Sequence, residues 1–375
     1  MRVVVIGAAG EVGKALTADL VGCPEIDHIV AADIATDTLG TLAEGTERVS
    51  AARLDLHDRE ESLRILDGCD LLVNCTSFAL FDEVIDLAVA AGVDYADLIS
   101  EPSDEQGRAV EEAGITAISG LGLTPGLSNV LVAHAAAQLA EIEEANIAWM
   151  SFRTIAPSRG LLDTILWELS DGCRTREYFQ SGRLHHAGPM EGSRVVDFAP
   201  PGGSQRVYFV PHPEVRTLPR HFPTLTSCAV RGTWRPELMA DMSVLNKYGL
   251  LDEATLETTK SVIWDRFGGR RDVAPWMLFL NVEVVGLRDG DTVRRVYDVS
   301  HPIDWNQAAT GRITGICAAV GAQLLARHGR TQVGFVDPEA YYDPHEFLIE
   351  LERRGTISVA SSESIVNGWS LERSI

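Results

Sequence analysis

The strongest chemical signal lies at the amino terminus, where Gly7-Ala8-Ala9-Gly10-Glu11-Val12-Gly13 has the spacing of a turn that wraps a pyrophosphate. The first glycine permits a tight exit from a strand. The second leaves the backbone bare where phosphate must come close, and the third lets the following helix pack against the sheet. That helix adds N–H groups and a positive dipole end. Twenty residues after Gly13, Asp33 closes the next apolar run. A carboxylate there accepts hydrogen bonds from the adenosine ribose and repels a 2′-phosphate. The residues that follow, Ile34 to Thr38, contain no arginine or lysine. The pattern therefore favours NAD, with NADP the less favoured cofactor; in the alternative, Asp33 caps the next helix and Arg53 tolerates NADP. Candidate cofactor contacts are Gly7, Ala9, Gly10, Glu11, Val12, Gly13 and Asp33, joined by Asn74, Cys75 and Thr76 and by Pro125.

These residues need a scaffold, and the chain's periodicity supplies one. Residues 2–6 (RVVVI) form a short β-branched run, followed by the helical pattern KALTADLV and a second apolar run ending at Asp33. Strand and helix patterns of this kind alternate through ITAIS at 115–119, the sixth strand. Such alternation reads as right-handed βαβ units and a Rossmann-type, doubly wound parallel sheet. In that architecture the chemistry lies beyond the carboxyl ends of the strands. Asn74, Cys75, Thr76 and Ser77 follow the fourth strand, Asp97 and Glu101 the fifth, and Gly120 to Gly126 the sixth.

From about residue 142 the texture becomes strand-rich: EANIAWMSFR, SRVVDF, QRVYFV, TSCAVRG, WMLFLNVEVVGL and VRRVYDVS. Helical patterns fall near 160–170, 235–247 and 253–267. Arg288-Asp289-Gly290-Asp291 between two alternating runs is a hairpin signal. The fold class is therefore α/β, with a second α+β domain carrying a mostly antiparallel sheet. Residues 306–328, rich in alanine and glycine, read as a helix returning to the first domain. The expected division is 1–125 plus 306–355 for the dinucleotide domain, 126–305 for a substrate-binding and dimerisation domain, and 356–375 as a polar, mobile tail.

Composition excludes several roles. The 375 residues are 45% hydrophobic and 23% charged, with 32 basic against 54 acidic side chains, a net charge of −22. A surface that negative repels nucleic acid and anionic lipid. No run approaches the ~18 apolar residues of a membrane span, so a soluble protein without a membrane role is expected. The six cysteines are scattered without a C-x-x-C pair, which points to reduced thiols in the cytoplasm and to no metal site. Only Lys14, Lys247 and Lys260 are lysines.

The chain resembles the saccharopine dehydrogenase-like family, in particular the lysine 6-dehydrogenase and carboxynorspermidine dehydrogenase type. The resemblance rests on Gly7 to Gly13, Asp70 to Cys75, Tyr95-Ala-Asp97-Leu and Gly122-Leu-Thr-Pro125-Gly126-Leu-Ser-Asn129. It continues through Thr217 to Pro223, Thr314-Gly315 and the stretch from Gly334 to Gly355. It implies an NAD(P)-dependent oxidoreductase acting on a C–N bond of an amino acid or polyamine-type amine, with its active site in a cleft between the two domains. It also implies a homodimer. Where lysine 6-dehydrogenases carry a glycine-, serine- and threonine-rich segment, this chain has His212-Pro-Glu214-Val-Arg216. That departure points away from free lysine and toward a partner with its own charge.

Oxidising an amine requires an unprotonated nitrogen, hence a group that accepts a proton near neutral pH. A lysine–histidine pair is excluded by the absence of lysine from every strand end, and a Y-x-x-x-K dyad is absent. The candidates are Asp97, His212 and Glu214, followed by Glu101 and His301; Glu168 reads as an exposed helical glutamate. A substrate carboxylate calls for arginine. Arg216 and Arg153 are the favoured clamps, ahead of Arg159 and Arg220, with Glu101 as a further substrate contact. Two other readings stay open: a dinucleotide-binding redox sensor without catalysis, and an opine-type enzyme that joins an amine to a keto acid.

Overall fold

The structure, a computed structural model, describes residues 1–99, 102–271 and 275–366. In chain order the strands among them are β1 (Arg2–Ile6), β2 (His28–Asp33), β3 (Val49–Arg53), β4 (Leu71–Asn74), β5 (Asp94–Asp97) and β6 (Thr116–Ile118). Then come β7 (Glu141–Phe152), β8 (Glu177–Gln180), β9 (Arg183–His186), β10 (Arg194–Phe198), β11 (Gly203–Phe209) and β12 (Ser227–Trp234). The last are β13 (Met277–Arg288), β14 (Asp291–Ser300), β15 (Gly334–Val336) and β16 (Ser358–Ile365). The chain forms two compact units, Met1–Val130 with Thr310–Arg354, and Leu131–Ala309 with the segment from Gly355 onward.

The first unit is a seven-stranded parallel sheet in the order β15-β6-β5-β4-β1-β2-β3. Its central strands are apolar on both faces because helices cover both; Val3, Val4, Val5, Leu71, Leu72 and Val73 have no exposed surface. The strand order reverses between β1 and β4, where an open α/β sheet leaves a crevice for a ligand. Local signals set the helix ends. Ser103 and Gln106 form a reciprocal capping box, and Gly92 and Gly114 end helices in the left-handed conformation.

The apolar helix Ala309–His328 completes this unit. A Cβ on Gly311 would fall 2.8 Å from the Glu11 Cβ, and one on Gly315 would fall 2.7 Å from the Ala15 Cβ and 2.9 Å from the Val12 carbonyl oxygen. The helix thus lies backbone to backbone against helix Glu11–Leu20. By length and composition the span Ile303–His328 is apolar enough to cross a membrane, but 78% of its most apolar window is buried inside the protein.

The second unit holds a mixed nine-stranded sheet. Its main path is β10-β11-β12-β7-β13-β14-β16, and the β8–β9 hairpin joins through β12. Among the described residues only β7 and β12 run parallel within it. The hairpin between β13 and β14 turns through Asp289 and Gly290, both at positive φ, as the Asp-Gly pair dictates. Of the stretch 356–375, read from sequence as a mobile tail, residues 358–365 form β16, which pairs along eight residues of β14, while 367–375 lie outside the described residues. The serine-rich stretch is an exposed edge strand that pairs with β14 on one side. The β8–β9 hairpin and the helix Glu214–His221 also escaped the sequence reading, the latter because Pro219 interrupts its pattern.

Candidate functional site

In the first unit the chain leaves β1 at Gly7 with φ +81°, and a Cβ there would sit 2.7 Å from the carbonyl carbon and oxygen of Cys75. Only glycine fits. A Cβ on Gly13 would lie 2.3 Å from the Gly7 oxygen, so the helix is drawn down onto the turn as the spacing predicts. Gly10 is exposed, and no side chain caps the helix it begins. The turn is a bare cradle that fits a diphosphate.

Asp33 ties this turn to the end of β2. Its Oδ2 accepts the Ala9 N–H at 3.0 Å and its Oδ1 accepts the Ala35 N–H at 2.9 Å. A cavity of about 330 Å³ opens beside it, lined by Gly7, Gly10, Asp33, Leu54, Asp55 and Thr76 among others. Among the described residues three carboxylates line it, from Asp33, Asp55 and Glu83, and no lysine or arginine does. Arg53, the β3 residue in register with Asp33, pairs with Asp55 at 3.3 Å.

Beneath the strand ends runs a buried polar chain. Asn74, fully buried, donates from Nδ2 to the Tyr95 hydroxyl at 3.0 Å and accepts the Thr76 N–H and hydroxyl on Oδ1. The Tyr95 hydroxyl in turn bonds Asp97. Asp97, with no exposed surface, accepts from the Ser119 hydroxyl at 3.2 Å and the Gly120 N–H at 3.3 Å. Burial, aided by the nearby Asp97 charge, pushes the Cys75 thiol up to about 12, so it is no nucleophile at neutral pH. Pro125 sits in a self-locking turn: its carbonyl accepts the Gly122 N–H at 2.9 Å, and the Gly126 N–H bonds Asn129 Oδ1 at 3.0 Å. Asn129 Nδ2 reaches Glu339 at 2.8 Å. The G-x-x-P-G-x-x-N element is thus built to hold its own shape. Glu101 lies outside the described residues.

The second unit gathers ionisable side chains that the sequence scatters. His212 Nδ1 lies 3.3 Å from Glu214 Oε2, with His212 7% exposed and Glu214 fully buried. The Trp149 ring packs 6.1 Å from the imidazole. Glu168 is also buried, a correction to its reading as an exposed helical residue: it ends helix Arg159–Glu168 on the side that packs inward. Burial raises its carboxyl to about 7, against the opposing pull of the His212, Arg153 and Arg176 charges. Its Oε2 makes no hydrogen bond among the described residues. A carboxyl that exchanges its proton near neutrality, beside an imidazole, is equipped for acid–base work. Periodicity alone could not have found it, because burial decides the matter.

The arginine candidates fare differently. Arg216 gives two N–H groups to Glu177, at 2.9 and 2.8 Å. Arg153 donates to the Thr154, Ile155 and Leu161 carbonyls, bracing the loop before Arg159. Arg159 stacks over Trp264, and Arg220 donates to the Arg216 carbonyl. His301 accepts the Leu278 N–H on Nε2 and bonds the Pro302 carbonyl through Nδ1, with its ring stacked on Trp305. Both ring nitrogens therefore serve the fold.

Residues 3–118 match the family described as the saccharopine dehydrogenase NADP binding domain. Over that stretch the chain is similar to the family. Across 94% of this chain and 96% of the relative, it is 23% identical to carboxyaminopropylagmatine dehydrogenase of Synechocystis sp.. The apo saccharopine dehydrogenase (L-Glu forming) of Saccharomyces cerevisiae superimposes with a TM-score of 0.71 at 15% identity, covering 98% of this chain and 100% of that one. The yeast likeness carries the fold: a seven-stranded parallel sheet and a second, mixed sheet. The turn from Gly7 to Gly13 lies in the part that the family match covers. That family is described by NADP, so the choice between the two nicotinamide dinucleotides turns on Asp33 and its surroundings.

Proposed function

We propose that the protein is an NAD-dependent dehydrogenase acting on a C–N bond of an amino acid or polyamine-type substrate, converting amine to imine or forming a secondary amine in reverse. The observation that carries this reading is the Asp33 carboxylate. It is held against the glycine turn by two backbone N–H groups and borders a cavity lined by three carboxylates and no lysine or arginine. That setting suits two ribose hydroxyls and opposes a 2′-phosphate.

The turn at Gly7, Gly10 and Gly13 would hold the diphosphate, and Asn74, Thr76 and Pro125 would shape the wall beyond it. When bound, the nicotinamide takes a hydride from the substrate carbon or returns it. The protein's own share is to orient that carbon and to move a proton. Asp97 is spoken for by Tyr95, Ser119 and Gly120, and its role in this reading is to fix the strand ends. The proton belongs to the group of His212, Glu214 and Glu168, whose burial sets a carboxyl near neutrality. A homodimer in the cytoplasm completes the reading.

The test is a search for turnover. The purified chain, with NAD or NADP, is offered diamines, basic amino acids and carboxyalkylated polyamines of the kind named for the Synechocystis relative. Appearance of the reduced nicotinamide is followed in one direction, and its loss with amine plus carbonyl partners in the other. NAD-linked turnover of a carboxylated amine is the expected result. Tight dinucleotide binding with no turnover in either direction would leave a redox sensor in its place.

A further inference from the structure

The face of the second sheet that carries Asn146, Arg231 and Glu283 encloses a second cavity, of about 230 Å³. Register explains the meeting. On parallel β7 and β12, Asn146 lies beside Ala229 and Ala148 beside Arg231; across antiparallel β13, Glu283 lies opposite Asn146. All three side chains thus share one face.

Arg194, Arg231 and Arg294 face Asp197, Glu283 and Asp298 around it, so the formal charges balance, but they are unevenly paired. Glu283, 3% exposed, is already satisfied: Oε1 takes Arg194 Nη2 at 2.7 Å and Oε2 takes Arg294 Nε at 2.6 Å. Asp298 accepts from Asn281 at 2.8 Å. Arg231, 3% exposed, has no carboxylate within ion-pairing distance among the described residues. Its Nε donates to the Gly192 carbonyl at 2.8 Å, its Nη1 to Asn146 Oδ1 at 3.1 Å, and its guanidinium lies 4.4 Å over the Phe209 ring. Burial first, then the Arg194 charge, lowers its pKa to about 10 against the opposing pull of Glu283, which still leaves it charged at neutral pH.

Asn146 repeats the deficit. Because Arg231 can only donate, Oδ1 must face it, and the amide is thereby oriented. That leaves Nδ2, buried and without a hydrogen bond among the described residues. Among the described residues, a buried guanidinium without a direct ion pair and a buried amide donor lacking an acceptor stand on neighbouring strands at one cavity. Each costs stability if left so. The volume exceeds several times the roughly 30 Å³ of one water.

We propose that this cavity is a binding site for a small oxyanion, a carboxylate or a phosphate-type group, held by Arg231 Nη2 and Asn146 Nδ2. It belongs wholly to the second unit and is separate from the dinucleotide turn of the first.

Inorganic phosphate and acetate are titrated calorimetrically into the full chain at constant ionic strength, with saturating NAD present to fill the other anion-binding turn. The two probes separate a tetrahedral from a planar ligand. Saturable binding is expected, weakened about tenfold or more in Arg231→Lys and Asn146→Leu, since each loses one charge-assisted hydrogen bond. Arg64→Gln, an exposed change in the first unit, must leave it unchanged. Asn146→Asp supplies an internal carboxylate beside Arg231, and is expected to raise the Tm without added anion and to abolish the anion response. No saturable heat in the wild type, equal binding in every variant, or a crystal structure grown in phosphate with only water in the cavity would each overturn the assignment.

Discussion

Replacing Asp33 by serine should invert the cofactor preference, and the size of the change can be worked from the turn. The carboxylate is fixed by the Ala9 and Ala35 N–H groups, so it cannot swing away from an incoming phosphate. At ~5 Å separation and an effective dielectric of about 20, each unit of phosphate charge is opposed by ~3 kcal/mol. A 2′-phosphate carries between one and two charges, and screening at physiological salt removes roughly half of the repulsion. About 3 kcal/mol remains, or ~10²-fold in the NADP-to-NAD ratio. Serine also surrenders one of the two backbone hydrogen bonds, which should loosen the turn for both cofactors by ~1 kcal/mol. That general damage cancels in the ratio. The assay is fluorescence titration with NADH and NADPH, which needs no substrate, backed by kcat/KM once turnover is found. A wild type that binds NADPH more tightly, or a ratio that moves less than about threefold in Asp33→Ser, would refute the argument.

Glu168→Gln tests the buried carboxyl in the second unit. Its pKa is raised in the folded protein from an ordinary 4.5 to about 7, so the folded state binds the extra proton and stability falls as pH rises through that window. The wild type should lose ~3 kcal/mol between pH 4.5 and 7 through this group, and glutamine should remove that slope in urea unfolding; an unchanged slope sinks the assignment. Gly315→Ala forces a Cβ to within 2.7 Å of Ala15, and a loss of ~1–3 kcal/mol is expected, seen as a lower Tm together with weaker dinucleotide binding. Arg216→Ala breaks a half-exposed pair with Glu177 and should cost under about 1 kcal/mol with kcat/KM within a few-fold of wild type. A large rise in substrate KM alone would return Arg216 to the role of carboxylate clamp.

The parallel sheet and its glycine turn were legible because their signals are local. Short β-branched runs mark strands buried on both faces, and Gly7, Gly10 and Gly13 are required by contacts within a few residues or across one strand. The hairpin at Asp289-Gly290 was legible for the same reason. What the sequence hid depends on distant partners. Glu168 reads as a helical surface residue until the sheet covers it. Arg216 reads as a substrate clamp until Glu177, thirty-nine residues away in sequence, takes its guanidinium. The serine-rich stretch 358–365 has no apolar alternation to announce a strand, and only pairing with β14 makes it one. Asp97 ends its strand as the sequence suggests, but its partners on β5 itself and after β6 show how fully the fold employs it.

The helix that begins the dinucleotide turn is gripped from two sides by residues that have no side chain. Gly13 brings its inner face within contact of the Gly7 oxygen and the Ala8 Cα, and Gly311 and Gly315 bring the returning helix against Glu11, Val12, Ala15 and Leu16 on another. Any Cβ at these places meets backbone or a short, stiff side chain, so neither contact can relax by moving a flexible group. The first turn of that helix is where a diphosphate would gain most from N–H groups fixed in advance, because a helix end that must be ordered on binding subtracts from affinity. Residues nearly three hundred positions downstream therefore belong to the nucleotide site, although none of them needs to touch a nucleotide. The alanine- and glycine-rich composition of 306–328 is explained by this geometry: the segment is apolar because it is buried, and small because backbone-to-backbone contact leaves room for nothing larger.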